Sequence, residues 1–151
     1  MIQTRPLFEI QLQVPEVIDI GDTPLGRRRI AAVSGGEFHG ERLRGTVVGA
    51  PAGDWLLQRN DGVTVLDVRL VLRTDDGEHI YMAYRGVRHG PAEVMARLAK
   101  GEVVDPKTYY FRIAPVFETS AKKYDWINKI VAVGTGRREP MGPIYTVEEV
   151  L

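Results

Sequence analysis

Asp54, Asp67, Arg69 and Tyr84 stand among valines and leucines in the stretch DWLLQRNDGVTVLDVRLVLRTDDGEHIYMAYRG. A carboxyl set in an apolar wall has its pKa raised and can take or give a proton near neutrality, while a guanidinium or phenol beside it can hold an oxygen on which charge develops. In this stretch Asp67, opposite Leu56 in the expected pairing, is the candidate proton carrier. Arg69 and Tyr84 would polarise a substrate oxygen, and Asp54 would hold Arg69 in place. These roles require the four side chains to share one face of a sheet.

Strand register decides that question. Asp61-Gly62 and Asp76-Gly77 each sit between apolar-rich runs, and this dipeptide favours a two-residue type I′ hairpin turn. Such turns place Asp54 opposite Arg69, Leu56 opposite Asp67, and Arg69 opposite Tyr84, on one mixed face. The opposite face carries Trp55, Leu57, Leu66, Val68, Leu70, Leu72, Tyr81, Ala83 and Arg85. Neither face is uniformly polar, so both are expected to be covered, with the mixed face lining a pocket. The competing reading is a cross-strand ion-pair network on a wet sheet face, worth only ~0–1 kcal/mol per pair. A one-residue bulge would exchange the two faces.

The rest of the chain supplies the scaffold. LFEIQLQV alternates with period two and opens the chain as a half-buried strand; PEVIDIGDTPLG reads as a turn or connecting loop. RRRIAAVSGGEFHGERLRGTVVG reads as two short strands bent at its glycines, and GPAEVMARLAKGE as the one convincing helix, with Pro91 in its first turn and Gly101 at its end. YYFRIAPVFET, IVAVGTGRR and IYTVEEV are further strands, with Pro115 implying an edge or a bulge. SAKKYDWINK is a loop or a single helical turn between them. The fold class is therefore all-β: a single closed or nearly closed antiparallel barrel over residues 1–151, calycin-like in outline, with one short helix.

Trp55, Arg85, Tyr110, Arg112 and Trp126 are the candidate ligand-binding residues, because aromatics interleaved with arginine suit a pocket lid or a subunit contact. His39, His79 and His89 show no ligand spacing, so no metal is expected. GTGRR lacks the context of a dinucleotide or phosphate loop, and no cofactor is expected; Gly134 and Gly136 read as backbone permissiveness. Twenty basic residues balance twenty acidic ones, which disfavours nucleic acid and anionic membranes as partners. The run Arg27-Arg28-Arg29 reads as a solvated strand start. Without cysteine, signal peptide or apolar span, the chain reads as a soluble cytoplasmic protein.

GGEFHGERLRGTV, GDWLLQRNDGVTVLDVRLVLRTDDGEHIYMAYRGVRHGP, YYFRIAPVFET and YDWINKIVAVGTGRR resemble the bacterial and fungal proteins grouped as domain of unknown function 3237, or uncharacterised protein family 0311. The resemblance covers almost the whole chain. It implies a compact antiparallel β-barrel and brings no activity with it. Leu56 departs from the family pattern, where a polar residue is expected, which implies a less polar pocket here.

The expectation is a barrel binding a small hydrophobic or carbonyl-bearing molecule, as a cofactor-free isomerase, cyclase or lyase acting on a carbonyl or enol metabolite. The alternatives are a non-catalytic carrier or sensor, and a structural or partner-binding homodimer that uses its apolar outer face.

Overall fold

In the computed structural model, which describes residues 1–151, ten strands form one antiparallel sheet. In chain order they are β1 (Thr4–Gln13), β2 (Glu16–Thr23), β3 (Gly26–Ala32), β4 (Gly35–His39), β5 (Arg44–Gln58), β6 (Thr64–Thr74), β7 (His79–His89), β8 (Tyr110–Glu118), β9 (Val131–Glu139) and β10 (Gly142–Val150). Eight of them run β5-β4-β1-β10-β9-β8-β7-β6, and β6 pairs back to β5 to close a barrel. The remaining two, β2 and β3, form a hairpin that attaches through β3 to the second half of β5. EVIDIGDT is thus a strand rather than the expected loop. Its backbone groups pair with β3 although most of its side chains are exposed, so burial periodicity carried little signal.

The long strand β5 serves two neighbours in turn: Arg44–Val47 pairs with β4 and Gly53–Gln58 with β3. Between these halves its register against β6 shifts, between Val48 and Gly53. The strand therefore bends away from the barrel wall, and one barrel end opens towards the hairpin.

The two ends are filled differently. At the end formed by the start of β5 and the end of β6, Phe8 meets Phe38 and Phe117 at ring distances of 5.5 and 5.9 Å, below the fully buried Leu72, Ile80, Met82 and Val147. The segment Lys122–Lys129, two short 3₁₀ turns joined at Tyr124, plugs this end with Tyr124 and Ile127. Asp76 pins the plug by accepting hydrogen bonds from Tyr124 Oη at 2.8 Å and Lys123 Nζ at 2.7 Å, and these donors hold its carboxyl well below the usual range. The opposite end is bordered by helix α1 (Ala92–Ala99).

Large rings fit inside this small barrel because glycines face them. A Cβ on Gly136 would lie 2.8 Å from the Phe111 ring and 2.9 Å from Tyr145. Gly134 and Gly136 have no positive φ, so they supply room, not the backbone permissiveness expected of them. Gly136→Ala is expected to destabilise the barrel by about 1–3 kcal/mol through overpacking. Urea denaturation would show it as a lowered midpoint with an unchanged slope.

Candidate functional site

The open end of the barrel encloses a small chamber of about 90 Å³, open at its mouth. Leu12, Val33, Leu56, Leu66, Val68 and Phe111 form its apolar walls, and Asp54, Tyr84, Arg88, Arg138 and Tyr145 project into it. An outer vestibule of about 300 Å³ shares Val17, Leu56, Arg88 and Arg138 with the chamber and adds Arg29, Gln58, Met95 and Leu98. Helix α1 and the β2–β3 hairpin are its rims. Apolar walls with a few convergent polar groups are the usual form of a small-molecule site.

Asp54 comes to this place through the bend in β5. Its Oδ1 accepts a hydrogen bond from the Asp67 backbone N–H at 3.1 Å. It belongs to none of the ion pairs of the chain. Burial pushes its pKa up to about 6, against the opposing pull of the Asp67 N–H and the Arg88 and Arg138 charges. At neutral pH such a carboxyl is largely ionised yet weakly held, the condition of a general base.

Two phenols face it. Tyr84 and Tyr145 stack edge-on at 5.3 Å, and Tyr145 meets Phe111 at the same distance. Burial, reinforced by the neighbouring Tyr145 and Asp54, raises the Tyr84 pKa well above its ordinary value, so it stays a neutral donor. Its Oη is buried and, apart from the neighbouring Tyr145 hydroxyl, has no hydrogen-bond partner. A buried hydroxyl with so few partners is a donor that an oxygen entering the chamber can engage. Arg88 lies over the Phe111 ring at 5.3 Å, and burial together with Arg138 lowers its pKa to about 10. Tyr109 Oη accepts the Arg138 backbone N–H at 2.9 Å, fixing β9 where Arg138 turns inward.

Of the four residues given chemical roles from sequence, the chamber brings together Asp54 and Tyr84. Asp67 and Arg69 point outward from β6, and the expected register is corrected by one residue at both hairpins. Arg59 N–H bonds to Val63 O and Gly62 N–H to Arg59 O, with Gly62 at φ 87°; Thr74, Glu78 and Gly77, at φ 89°, repeat the pattern. Each connection is thus a three-residue loop ending in a left-handed glycine, not a two-residue turn. Asp54 consequently faces Val68, and Arg69 faces Ala83. The two shifts cancel for β7, so Tyr84 stays on the Asp54 face, whereas β6 turns its leucines inward.

Asp67 instead faces Arg85 on the outer wall, 3.6 Å from it. Arg69 lies over the exposed Trp55 at 5.9 Å, and Arg112 over Tyr110 at 4.8 Å, also outside. Trp126 is at the plugged end, covered by Arg42 at 4.3 Å, and Arg42 also donates to Glu149 at 2.6 Å. None of the seven site residues expected from sequence and placed here, Asp67, Arg69, Trp55, Arg85, Tyr110, Arg112 and Trp126, borders the chamber or its vestibule.

Arg29, Arg88, Arg138 and Tyr145 escaped the sequence reading. Arg88 continues the inward alternation Tyr84, Gly86, Arg88, and Arg138 continues Gly134, Gly136, Arg138. The inward side was therefore legible once one member of each strand was placed. No helix is long and apolar enough to cross a membrane.

Sequence and structure comparisons agree with this architecture. The chain is 35% identical over 150 residues, 99% of its length and 97% of the relative's, to a UPF0311 protein of Rhodopseudomonas palustris. A crystal structure of a protein of unknown function from that organism covers 100% of this chain and 99% of its own at a TM-score of 0.96 and 34% identity. A beta-barrel like protein from Acinetobacter baumannii matches at a TM-score of 0.87 and 39% identity, covering 100% of this chain and 97% of its own. An enzyme from Penicillium herquei shares the fold at a TM-score of 0.74 and 19% identity, over 99% of this chain and 95% of its own. The family pattern described as "Protein of unknown function (DUF3237)" matches residues 2–150, and the chain belongs to that family.

Proposed function

We propose that the chamber is a cofactor-free acid–base site that moves a proton on a small carbonyl- or enol-bearing molecule, in an isomerisation, cyclisation or elimination. Asp54 takes the proton from carbon, and the electron pair moves into the carbonyl to leave an enolate oxygen. Tyr84 donates a hydrogen bond to that oxygen. The proton then returns from Asp54 to a different position of the substrate. The proton-carrying role thus passes from Asp67 to Asp54. The observation that carries this reading is a buried carboxyl with a pKa of about 6 sharing an apolar chamber with a buried phenol Oη that, beyond the Tyr145 hydroxyl, has no partner. A protein of the same fold being an enzyme adds modest support.

Deuterium exchange tests it before a natural substrate is identified. Acetophenone and 2-tetralone in D₂O should gain deuterium next to the carbonyl faster with the protein than without it. Asp54→Asn is expected to remove about 10²–10⁴-fold of that acceleration, the usual weight of a general base, while Asp67→Asn leaves it intact. Ketones that bind but never exchange would favour a carrier or sensor. Exchange undiminished in Asp54→Asn would remove Asp54 from the mechanism.

A further inference from the structure

The chamber holds more positive charge than its one carboxylate can balance. Arg29, Arg88 and Arg138 all border the vestibule, and none takes part in an ion pair. The Nε atoms of Arg29 and Arg138 are buried without a hydrogen-bond partner, and Arg88 is only 9% exposed. Several arginines elsewhere in the chain are answered: Arg27 pairs with Asp19, Arg28 donates to the Trp55 carbonyl at 2.9 Å, and Arg5 and Arg42 share Glu149. Arg44, Arg69 and Arg73 also lack a partner but are exposed to solvent; the three that are withdrawn from solvent without an ion pair or a side-chain hydrogen bond are the three at the chamber mouth. Gathering like charges in a half-dry space is unfavourable unless an anion joins them, and a guanidinium fork matches an oxyanion with two parallel donors.

We infer that Arg29, Arg88 and Arg138 form an oxyanion seat at the chamber mouth that holds a permanent carboxylate of the ligand, so that the substrate is an apolar carbonyl or enol compound bearing an acid group. This rests on the chamber being the ligand site proposed above, and it names the class of molecule that enters. The carboxylate lies outward among the guanidinium groups, and the apolar body and reactive oxygen lie inward by Leu66, Phe111 and Tyr84. Such an arrangement fixes the molecule at both ends. It also keeps the charged head apart from Asp54, so the carboxylate that must accept a proton is not the group that binds the head.

The test compares two probes of matched shape, 2-naphthoate and the neutral 2-naphthamide, by isothermal titration calorimetry. 2-Naphthoate is expected to bind at least roughly tenfold more tightly, the scale of a charge-assisted hydrogen bond. Arg29→Gln and Arg138→Gln should each lower that preference several-fold, and Arg112→Gln on the outer wall should not. Arg29 belongs to the peripheral hairpin, so its variant keeps the barrel intact even if Arg138→Gln does not fold. Equal affinity for the two probes overturns the inference. So does a preference unchanged in Arg29→Gln, or no binding of 2-naphthoate at 5 mM. Asp54→Asn separates the two readings, because it should abolish exchange of ketones yet keep the carboxylate preference. Carboxylate preference without any ketone exchange would sink the acid–base mechanism and leave the seat standing, and exchange without preference would do the reverse.

Discussion

Asp54→Asn is expected to make the protein more stable at neutral pH, by about 2–3 kcal/mol. Raising a carboxyl from its ordinary 3.8 to about 6 costs the folded state about 3 kcal/mol once the group is ionised. The direction follows from which state ionises first. Below pH ~4 Asp54 is protonated in both the folded and the unfolded chain, and the cost is absent. Between pH ~4 and ~6 the unfolded chain loses its proton while the folded chain keeps it, so stability falls as pH rises through this window. Above pH ~6 the folded state bears the full cost. Asparagine cannot ionise, and its amide oxygen can still accept the Asp67 N–H. Urea denaturation of wild type and Asp54→Asn should therefore coincide near pH 4 and diverge up to pH 7, with a melting temperature raised by roughly 5–10 °C at the upper end. A difference that stays flat from pH 4 to 8 would mean that Asp54 does not titrate in an apolar site. A gain in stability together with a loss of ketone exchange is what a site kept for chemistry rather than for folding should show.

How far the sequence reveals this site depends on which physical signal each residue carries. Barrel strands with one buried face are plain in the pattern: Phe8, Ile10 and Leu12 alternate on β1, and Leu66, Val68, Leu70 and Leu72 on β6. Helix α1 is legible from Pro91 and Gly101 at its ends, and the family resemblance implies the barrel as well. The strand β2 is not legible, because its pairing with β3 is a backbone interaction and most of its side chains remain exposed. The site is half legible for a more specific reason. Asp54 and Tyr84 reach the same face in either register, whereas Asp67 and Arg69 depend on one residue of turn length. Asp-Gly serves both a two-residue turn and a three-residue loop with glycine in the left-handed region, and the dipeptide alone does not separate them. The alternation on β6 does separate them. Leu66, Val68, Leu70 and Leu72 are an uninterrupted apolar row, while the other row contains Asp67, Arg69 and Arg73; a small closed barrel turns the apolar row inward. Giving that row precedence over the turn would have placed Asp67 outside. The arginines were missed for a different cause: Arg29 sits in a basic run that looks like a wet surface, and Arg88 and Arg138 lie beyond the ends of the apolar rows that mark their strands. Their inward course is set by alternation past Gly86 and Gly136, which have no side chain to advertise which face is buried.

Arg88→Met should also stabilise the protein, on the order of 2–3 kcal/mol, but with a different dependence on pH. Burial lowers the Arg88 pKa from 12.5 to about 10, a cost to the charged folded state of roughly 3 kcal/mol. That cost is complete at every pH below the folded value, so the gain should be constant from pH 5 to 9, in contrast to the rising gain from Asp54→Asn. Methionine preserves the length and the apolar contact with the Phe111 ring while removing the charge. Asp54 then responds, because Arg88 is the strongest charge drawing its pKa down. In Arg88→Met the Asp54 carboxyl should titrate above 6, visible by carboxyl-carbon NMR, and the fall of stability with pH should move upward with it. The double variant Asp54→Asn/Arg88→Met should gain more than the sum of the two single gains. Each single change loses the attraction between the two charges, and the double change loses it only once. Gains that add to within ~0.5 kcal/mol would show that the two groups do not sense each other. A destabilised Arg88→Met would show that the guanidinium is anchored by the fold itself rather than held in readiness for an anion.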